Sequence, residues 1–292
     1  MPELPEVQTT VNGLKSKALN RAFVGVWSDW KKVVKKPVSW EFFEKEIRNK
    51  KIKKIWRRAK NVIFDLSDGY SLLVHQKMTG HLLLGNWEQK EKTWIPAKDG
   101  YLKDPYNRFI HLMFWLSDGL MMGLSDARKF AKVELWKTED LKKELDKLGP
   151  EPLEKSFTFE KFKQALQKKK SGRIKQVLMD PAVIAGIGNI YSSESLWRAK
   201  IHPEKNVAKL SEKELKSLYQ AIIKVLDLAI KCGGESFSDY RKPDGSKGGF
   251  DDERKAYWRD GEKCLRCHKA VIKRISFGGR SAFYCPNCQK IK

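Results

Sequence analysis

The pattern of hydrophobic and polar positions changes character along the chain. Near the start, apolar residues recur at helical spacing over Val7–Ala18, which predicts a helix that begins just after Pro5. Over Phe23–Trp136, short apolar runs of strand length follow one another, and a Leu-Ser-Asp-Gly motif separates two pairs of them, at 66–69 and 116–119. Asp-Gly between apolar runs predicts a hairpin turn. The first half is therefore predicted to be a leading helix followed by a β-sandwich or barrel.

Later in the chain the pattern becomes helical. Ser211 and Glu214 have the spacing of a capping box, and the apolar residues over Leu215–Ala229 then fall on one helical face. The Gly233-Gly234 pair is predicted to end this helix. The segment 235–254 is polar and contains several glycines, and we expect it to be a mobile surface loop.

The net charge of the chain indicates which class of partner it binds. The 292 residues include 59 Lys+Arg against 36 Asp+Glu, a net charge of +23. This surplus favours a polyanion, because cations that neutralise phosphates release condensed counterions, although a ribosome-associated protein would share it. The acidic start, Met1–Glu6, is unlike a secretory signal, and the most apolar stretch, Ile222–Ile230, contains Lys224 and Asp227. We therefore expect a cytoplasmic protein without a membrane span.

A cluster of cysteines near the C-terminus predicts a metal site. Two Cys-x-x-Cys pairs are separated by the segment 268–284, a spacing typical of four-cysteine zinc sites. Four thiolates fill a tetrahedral coordination sphere and leave no position for a catalytic water, so we expect one structural Zn²⁺. The intervening segment is predicted to be a hairpin with Gly278-Gly279 at its tip, where Arg280 is either solvated or a phosphate clamp. The expected metal ligands are Cys264, Cys267, Cys285 and Cys288.

The N-terminus contains a candidate nucleophile. Removal of Met1 would leave Pro2 as a free secondary amine, and a small second residue permits that removal. A secondary amine can attack the sugar C1′ of a damaged nucleotide, expel the base and form an iminium ion. Glu3 and Glu6 follow closely and can donate or accept protons. Taken alone, the same residues could equally be a mere helix entry.

Five motifs, read together, favour the catalytic interpretation. They are Pro2–Val7, Arg57–Lys60, Met78–Gly80, Ala185–Tyr191 and the terminal four-cysteine segment. In this order they resemble the formamidopyrimidine-DNA glycosylases over essentially the whole chain. The resemblance implies an α+β fold in three parts. These are an N-terminal catalytic β-sandwich domain with a leading helix over 1–137, a helical domain with a helix–two-turn–helix and a lesion-recognition loop over 138–261, and a β-hairpin zinc finger over 262–292.

The resemblance also implies a role for individual residues. Pro2 would be the Schiff-base nucleophile, Glu3 the proton donor that helps open the deoxyribose ring, and Glu6 a supporting residue. Lys60 would assist catalysis from a β-hairpin. Met78, Arg128 and Phe130 would fill the stack that an extruded base leaves, whereas Asn189 and Arg280 would hold phosphates. The residues expected to bind DNA are His75, Met78, Arg128, Phe130, Asn189 and Arg280.

The activity implied is that of a bifunctional DNA glycosylase and AP lyase, which excises oxidised purines and cleaves the strand by β,δ-elimination. We expect a nucleoid-associated monomer whose partner is double-stranded DNA with oxidised bases or abasic sites. An endonuclease VIII-like enzyme for oxidised pyrimidines is the nearest alternative, but that branch typically has glycine at the position of Leu4. A non-catalytic binder of damaged DNA that keeps the fold is a second alternative, and the presence of five residues together argues against it: Pro2, Glu3, Lys60, Asn189 and Arg280.

Three segments depart from the family pattern. The chain has His75-Gln76-Lys77-Met78 where His-Leu-Gly-Met is usual, and Asp126-Ala127-Arg128-Lys129-Phe130-Ala131 where Asp-Pro-Arg-Arg-Phe-Gly is usual. The loss of a proline and two glycines is expected to loosen both intercalating loops, which leaves the preference for the opposite base open. The segment Trp87–Asn107 is longer than typical, and its sequence assigns it no function.

Overall fold

The computed structural model describes residues 1–91, 93–237 and 239–291, so that Lys92, Ser238 and Lys292 lie outside the described residues. The chain divides into two units. The first contains residues 1–145 and 232–249, and the second contains residues 146–231 and 250–292. Among the described residues, no helix is both long enough and apolar enough to cross a bilayer.

The first unit consists of helices packed with β-sheets. Its helices are α1 (Leu4–Ala18), α2 (Trp40–Ile47) and α3 (Thr138–Leu145). Its strands are β1 (Phe23–Ser28), β2 (Val34–Lys36), β3 (Ile52–Arg58), β4 (Asn61–Leu66), β5 (Tyr70–His75), β6 (His81–Gly85), β7 (Trp87–Lys90), β8 (Thr93–Pro96), β9 (Ile110–Leu116), β10 (Met121–Ser125) and β11 (Lys132–Lys137).

The predicted hairpins and sandwich are present in this unit. Strands β4 and β5 pair through the Asp68-Gly69 turn, where φ is 60° and 71°. This is the left-handed conformation that an Asp-Gly hairpin turn requires. One sheet has four strands in the order β1-β9-β10-β6, and the other has five in the order β2-β11-β5-β4-β3. Alternate residues of both sheets, such as Phe64 and Phe114, and one face of α1 form a single hydrophobic core.

A further layer covers the outer face of the four-stranded sheet. It is formed by the β7–β8 hairpin and two short 3-10 helices, Tyr101–Lys103 and Pro105–Arg108. Trp87 and Trp94 are buried in it together with apolar residues of β6, β9 and β10. The long Trp87–Asn107 segment therefore has a hydrophobic core of its own.

The segment that follows α7 differs from its sequence-based prediction. We expected a surface loop over 235–254, but Tyr240 and Arg241 are buried in the first unit. The Tyr240 hydroxyl donates to the Glu6 carbonyl oxygen (2.9 Å), and Arg241 pairs with Asp104 at 3.1 Å. The expectation is wrong for these residues because their polar groups find buried partners far away in the sequence, which a polar composition does not reveal.

The second unit is helical and ends in a small hairpin. Its elements are α4 (Phe159–Gln167), α5 (Ile174–Met179), α6 (Asn189–Ala199), α7 (Glu212–Lys231), β12 (Lys273–Phe277) and β13 (Arg280–Tyr284). The predicted capping box begins α7, since the Ser211 amide donates to the Glu214 carboxylate (2.9 Å) and the Glu214 amide donates back to the Ser211 hydroxyl (3.3 Å). Trp197 of α6 packs with Ile272 and Phe283, which attaches the hairpin to α6.

Candidate active site and nucleic-acid interface

The candidate nucleophile lies at the start of α1. Pro2 is buried with Met1 attached, and the buried carboxylates Glu3 and Glu6 follow it in the sequence. Glu3 and Glu6 form a reciprocal capping box, in which the Glu3 amide donates to the Glu6 carboxylate at 2.7 Å. The second Glu6 oxygen accepts the Glu235 amide at 2.8 Å. Hydrogen bonds therefore hold both carboxylates at the start of the helix that follows Pro2.

Lys60 lies in the turn between β3 and β4, next to Ala59 with its φ of 52°. Arg57 connects this turn to α1, because its guanidinium donates to the Gln8 side chain (3.0 Å) and to the Ala59 carbonyl oxygen (3.0 Å). These hydrogen bonds hold the β3–β4 turn that contains Lys60 against α1, the helix that follows Pro2.

His75 lies beside this hairpin at the end of β5. The strand register places it opposite Asn61 of β4 and Lys132 of β11. Burial, followed by the charges of Lys77, Lys132 and Lys60, lowers the pKa of His75 to about 3, so the ring is neutral near pH 7. Its Nδ1 accepts the Lys77 amide at 3.0 Å, which leaves the proton on Nε2. His75 can therefore donate a hydrogen bond to an anion.

The two predicted intercalating loops are attached to each other. The turn that contains Met78 is closed by the Gly80 amide, which donates to the Gln76 carbonyl oxygen at 3.0 Å. The Thr79 hydroxyl donates to the buried Asp126 carboxylate, and its oxygen accepts the Arg128 amide at 3.1 Å. These hydrogen bonds join the two loops in which the departures from the family pattern lie.

The substituted positions in these loops have unusual backbone geometry. Lys77 and Lys129 have φ angles of 56° and 55°, a left-handed conformation that glycine adopts at lower cost. Gly80 cannot be larger, because a Cβ there would lie 2.4 Å from the Gln76 carbonyl oxygen. Ala131 is buried and donates its amide to Asp126 at 2.7 Å. The hydrogen bonds compensate for backbone strain in both loops.

Phe130 and Arg128 are exposed at the tip of their loop. The Phe130 side chain is 49% exposed, and the Arg128 guanidinium lies 4.6 Å from its ring centroid. Both side chains are therefore accessible from solvent. Met78 is half-buried in the neighbouring turn.

In the second unit, Asn189 is the first residue of α6. Of the described residues, none provides a hydrogen-bond partner for its side-chain oxygen, although that atom is shielded from solvent. Lys175 is buried below it, and its Nζ donates to the Asn189 carbonyl oxygen (3.1 Å) and to the Ser193 hydroxyl (2.7 Å). The positive end of the α6 dipole and the buried Lys175 ammonium both favour the binding of an anion at Asn189.

Arg280 is exposed at the tip of the β12–β13 hairpin, where Gly278 and Gly279 both have positive φ. It lines a cleft of about 270 Å³. Lys175 and Gln176 of α5 and Phe277 of the hairpin also line this cleft. Arg280 therefore lines the same cleft of the second unit as Lys175, the lysine that donates to the Asn189 carbonyl oxygen.

The four predicted zinc ligands come together at the base of this hairpin. All four Sγ atoms lie within 4.8 Å of one another, and those of Cys267 and Cys285 are 3.7 Å apart. Zn–S bonds of about 2.3 Å in a tetrahedron require an Sγ–Sγ separation of about 3.8 Å. The group fits one structural Zn²⁺ and consists of Cys264, Cys267, Cys285 and Cys288.

Two buried charged residues were not predicted from the sequence. Lys175 was missed because it follows a run of lysines and reads as one more solvated cation. Glu194 of α6 accepts the amides of the consecutive residues Lys255–Tyr257 at 2.8–3.1 Å, and burial raises its pKa. A polar run at helical positions, Ser192–Ser195, was the available signal, because such residues need partners when they are buried.

Three family models match the chain in succession. The formamidopyrimidine-DNA glycosylase N-terminal domain matches residues 1–133, its H2TH domain matches residues 148–241, and the zinc finger found in FPG and IleRS matches residues 261–291. The chain belongs to the formamidopyrimidine-DNA glycosylase family. This confirms the predicted α+β fold and, with the cysteine cluster, the structural zinc site.

Relatives and solved structures agree with this membership over full length. The chain is 38% identical to the formamidopyrimidine-DNA glycosylases of Pelotomaculum thermopropionicum and Ligilactobacillus salivarius, and 100% of each chain is covered. It superposes with a TM-score of 0.84 on Lactococcus lactis Fpg in complex with DNA that contains an abasic site (33% identity, 99% and 100% covered). The TM-score is also 0.84 against MutM in complex with DNA that contains carbocyclic 8-oxo-G (35% identity, 99% and 100% covered).

Proposed function

We propose that this chain is a DNA glycosylase and AP lyase that excises oxidised purines from duplex DNA in base excision repair. The observation that carries the proposal is the constellation at the start of α1, where Pro2 directly precedes the fixed carboxylates of Glu3 and Glu6. Full-length family membership supports the same assignment. The substrate is chromosomal DNA, so nucleoid association is part of the proposal.

In the proposed reaction, the Pro2 amine attacks C1′ as the bond to the base breaks, and the base leaves with the proton that the Pro2 nitrogen loses. Glu3 protonates the ring oxygen as the deoxyribose opens, which produces an iminium ion between Pro2 and C1′. Loss of a C2′ proton then expels the 3′ phosphate, and loss of a C4′ proton expels the 5′ phosphate. Water finally hydrolyses the iminium, which releases the unsaturated aldehyde and the free Pro2 amine. Lys60 lies in the β3–β4 turn, which Arg57 holds against α1, and it assists catalysis from there.

The proposed DNA contacts divide into two groups. His75, Asn189 and Arg280 hold the phosphate backbone, for which their donors are suited. Met78, Arg128 and Phe130 fill the vacated stack, since the loops that carry them are fastened together and Phe130 is exposed.

Strand cleavage of lesion-containing duplexes tests the proposed function. Duplexes with 8-oxoguanine or formamidopyrimidine should be cleaved faster than a matched duplex with thymine glycol, as resolved on a denaturing gel. Faster cleavage of thymine glycol would instead support an endonuclease VIII-like specificity. Binding without cleavage of any of the three would support a non-catalytic binder of damaged DNA.

Arg280→Ala should weaken DNA binding with a distinctive salt dependence. Since a cation is lost from a phosphate contact, affinity for damaged and undamaged duplexes should fall alike, and the slope of log affinity against log salt should become shallower by about one unit. Asn189→Ala should weaken binding with the slope unchanged, because asparagine carries no charge. Lys216→Ala, which removes an exposed cation from α7, is the matched control. If the slope of log affinity against log salt stayed unchanged in Arg280→Ala, the proposed phosphate contact of Arg280 would be contradicted.

A further inference from the structure

The segment 232–249 contains a buried cation, Arg241, that the proposed reaction does not use. Arg241 is 1% exposed, and its Nε lies 3.1 Å from the Asp104 carboxylate. One of its terminal nitrogens donates to the Tyr240 carbonyl oxygen at 2.8 Å, and the guanidinium carbon lies 4.6 Å from the Tyr106 ring centroid. A buried charge is costly unless it is paired, so Arg241 attaches this segment to the loop that contains Asp104.

The Asp104 carboxylate is itself held in one orientation. Asp104 caps the short 3-10 helix Pro105–Arg108, and its Oδ1 accepts the Tyr106 amide at 3.0 Å. Its Oδ2 is the oxygen that faces Arg241. Because each carboxylate oxygen has its own partner, the direction from which Arg241 is held is determined.

A second contact attaches the same two segments to each other. The Asn107 Nδ2 donates to the Gly245 carbonyl oxygen at 3.2 Å. Gly245 has a φ of 86°, and a Cβ there would lie 2.7 Å from the Tyr101 carbonyl oxygen, so a larger residue would separate the two backbones. The segment 232–249 is therefore packed closely against the long Trp87–Asn107 segment.

The segment 232–249 also holds Glu6. The Tyr240 hydroxyl donates to the Glu6 carbonyl oxygen at 2.9 Å, and the Glu235 amide donates to the Glu6 Oε1 at 2.8 Å. The Glu6 Oε2 accepts the Glu3 amide at 2.7 Å. The Glu6 carboxylate therefore joins this segment to Glu3, the proton donor of the proposed reaction.

We propose that Asp104 and Arg241 are positioning residues for Glu3, an inference that rests on the proposed function. Neither is among the groups that the proposed reaction uses, so they act through the segment 232–249, which they hold against Glu6. The long Trp87–Asn107 segment thereby acquires a role, as the support to which this part of the active site is attached.

Asp104→Asn tests this role, because it keeps an oxygen for the Tyr106 amide but removes the charge that faces Arg241. Single-turnover excision of 8-oxoguanine from duplex should slow by about 10- to 100-fold, since small displacements of positioning groups cost rates of this order. Cleavage at a preformed abasic site should slow less, because base excision depends more on the proton donor. Equal slowing on both substrates would overturn the inference in favour of a general structural role.

Asp99→Asn is the matched control for this variant. It removes a carboxylate of the same segment that is 92% exposed and pairs with Lys103 at the surface, so both substrates should be cleaved at the wild-type rate. If Asp104→Asn does not fold, Tyr106→Ala removes the ring beside Arg241 and leaves its charge paired. This variant should slow excision by about two- to tenfold, and an unchanged rate would overturn the inference.

Hydrogen exchange at the Glu235 amide tests the same link without an activity measurement. In Asp104→Asn this amide should lose protection by about tenfold or more, whereas the amides of β4 and β5 should stay protected. Full protection at Glu235 together with slow excision would overturn the inference. A wild-type protein that cleaves no lesion duplex would contradict the proposed function itself, whereas an active wild type with normal excision by Asp104→Asn would contradict this inference alone.

Discussion

A chain that retains an N-terminal extension should lose base excision by roughly 10⁴-fold or more, as expected when a nucleophile is removed. With any residue attached, the Pro2 nitrogen belongs to a peptide bond and has no lone pair for attack on C1′. Borohydride should trap a covalent protein–DNA adduct only when Pro2 is the first residue. DNA affinity should change little, because the proposed phosphate contacts of Asn189 and Arg280 lie in the second unit.

The matched control is the same extended chain after proteolytic removal of the extension, which should recover both trapping and excision. Pro2→Gly should also trap poorly. Glu3→Gln keeps an oxygen to cap α1 but loses the acidic proton, so it should slow base excision more than cleavage of a preformed abasic site. Normal trapping by the extended chain would exclude Pro2 as the nucleophile.

Loss of zinc should abolish tight DNA binding while the β-sandwich stays folded. Native protein should contain one zinc per chain, and Cys285→Ser should unfold the finger locally, because structural zinc contributes about 10–16 kcal/mol to folding in finger peptides. Arg280 then loses its support, and affinity for duplex DNA should fall at least tenfold, about 1.4 kcal/mol. Hydrogen exchange should show protection lost over residues 262–291 and retained in the strands of the first unit.

Cys232→Ser provides the control for this experiment. Cys232 belongs to the first unit and is outside the four-cysteine cluster, so its replacement should leave both zinc content and DNA binding unchanged. Native protein without zinc, or a Cys285→Ser variant that binds DNA normally, would contradict the prediction.

Features that depend on neighbouring residues could be predicted from the sequence. The Asp68-Gly69 turn, the α7 capping box and each Cys-x-x-Cys pair have their determinants within a few residues of one another. Periodicity likewise identified the buried face of α1, because that face is set by helical geometry. Local pattern therefore determined most of the elements and the metal site.

Features that depend on distant pairs could not be predicted in this way. Arg241 is buried because Asp104, 137 positions earlier, supplies the opposite charge. Asn107 is buried because its side-chain amide meets the Gly245 carbonyl oxygen and His81, and no periodicity marks it. The polar composition of the segment 235–254 indicated a surface loop, whereas the structure buries polar groups of Tyr240 and Arg241 against distant partners.

The discontinuous first unit has a consequence for synthesis on the ribosome. The amide that fixes the Glu6 carboxylate belongs to Glu235, so the surroundings of Pro2 are incomplete until residues 232–249 have emerged. At about 5–20 residues per second, the roughly 100 residues after position 145 take about 5–20 s to translate. Pro2 is buried and Met1 half-buried once the unit is complete, so we expect a methionine aminopeptidase to reach Met1 more readily during this interval. The late segment is thus expected to leave time for removal of Met1.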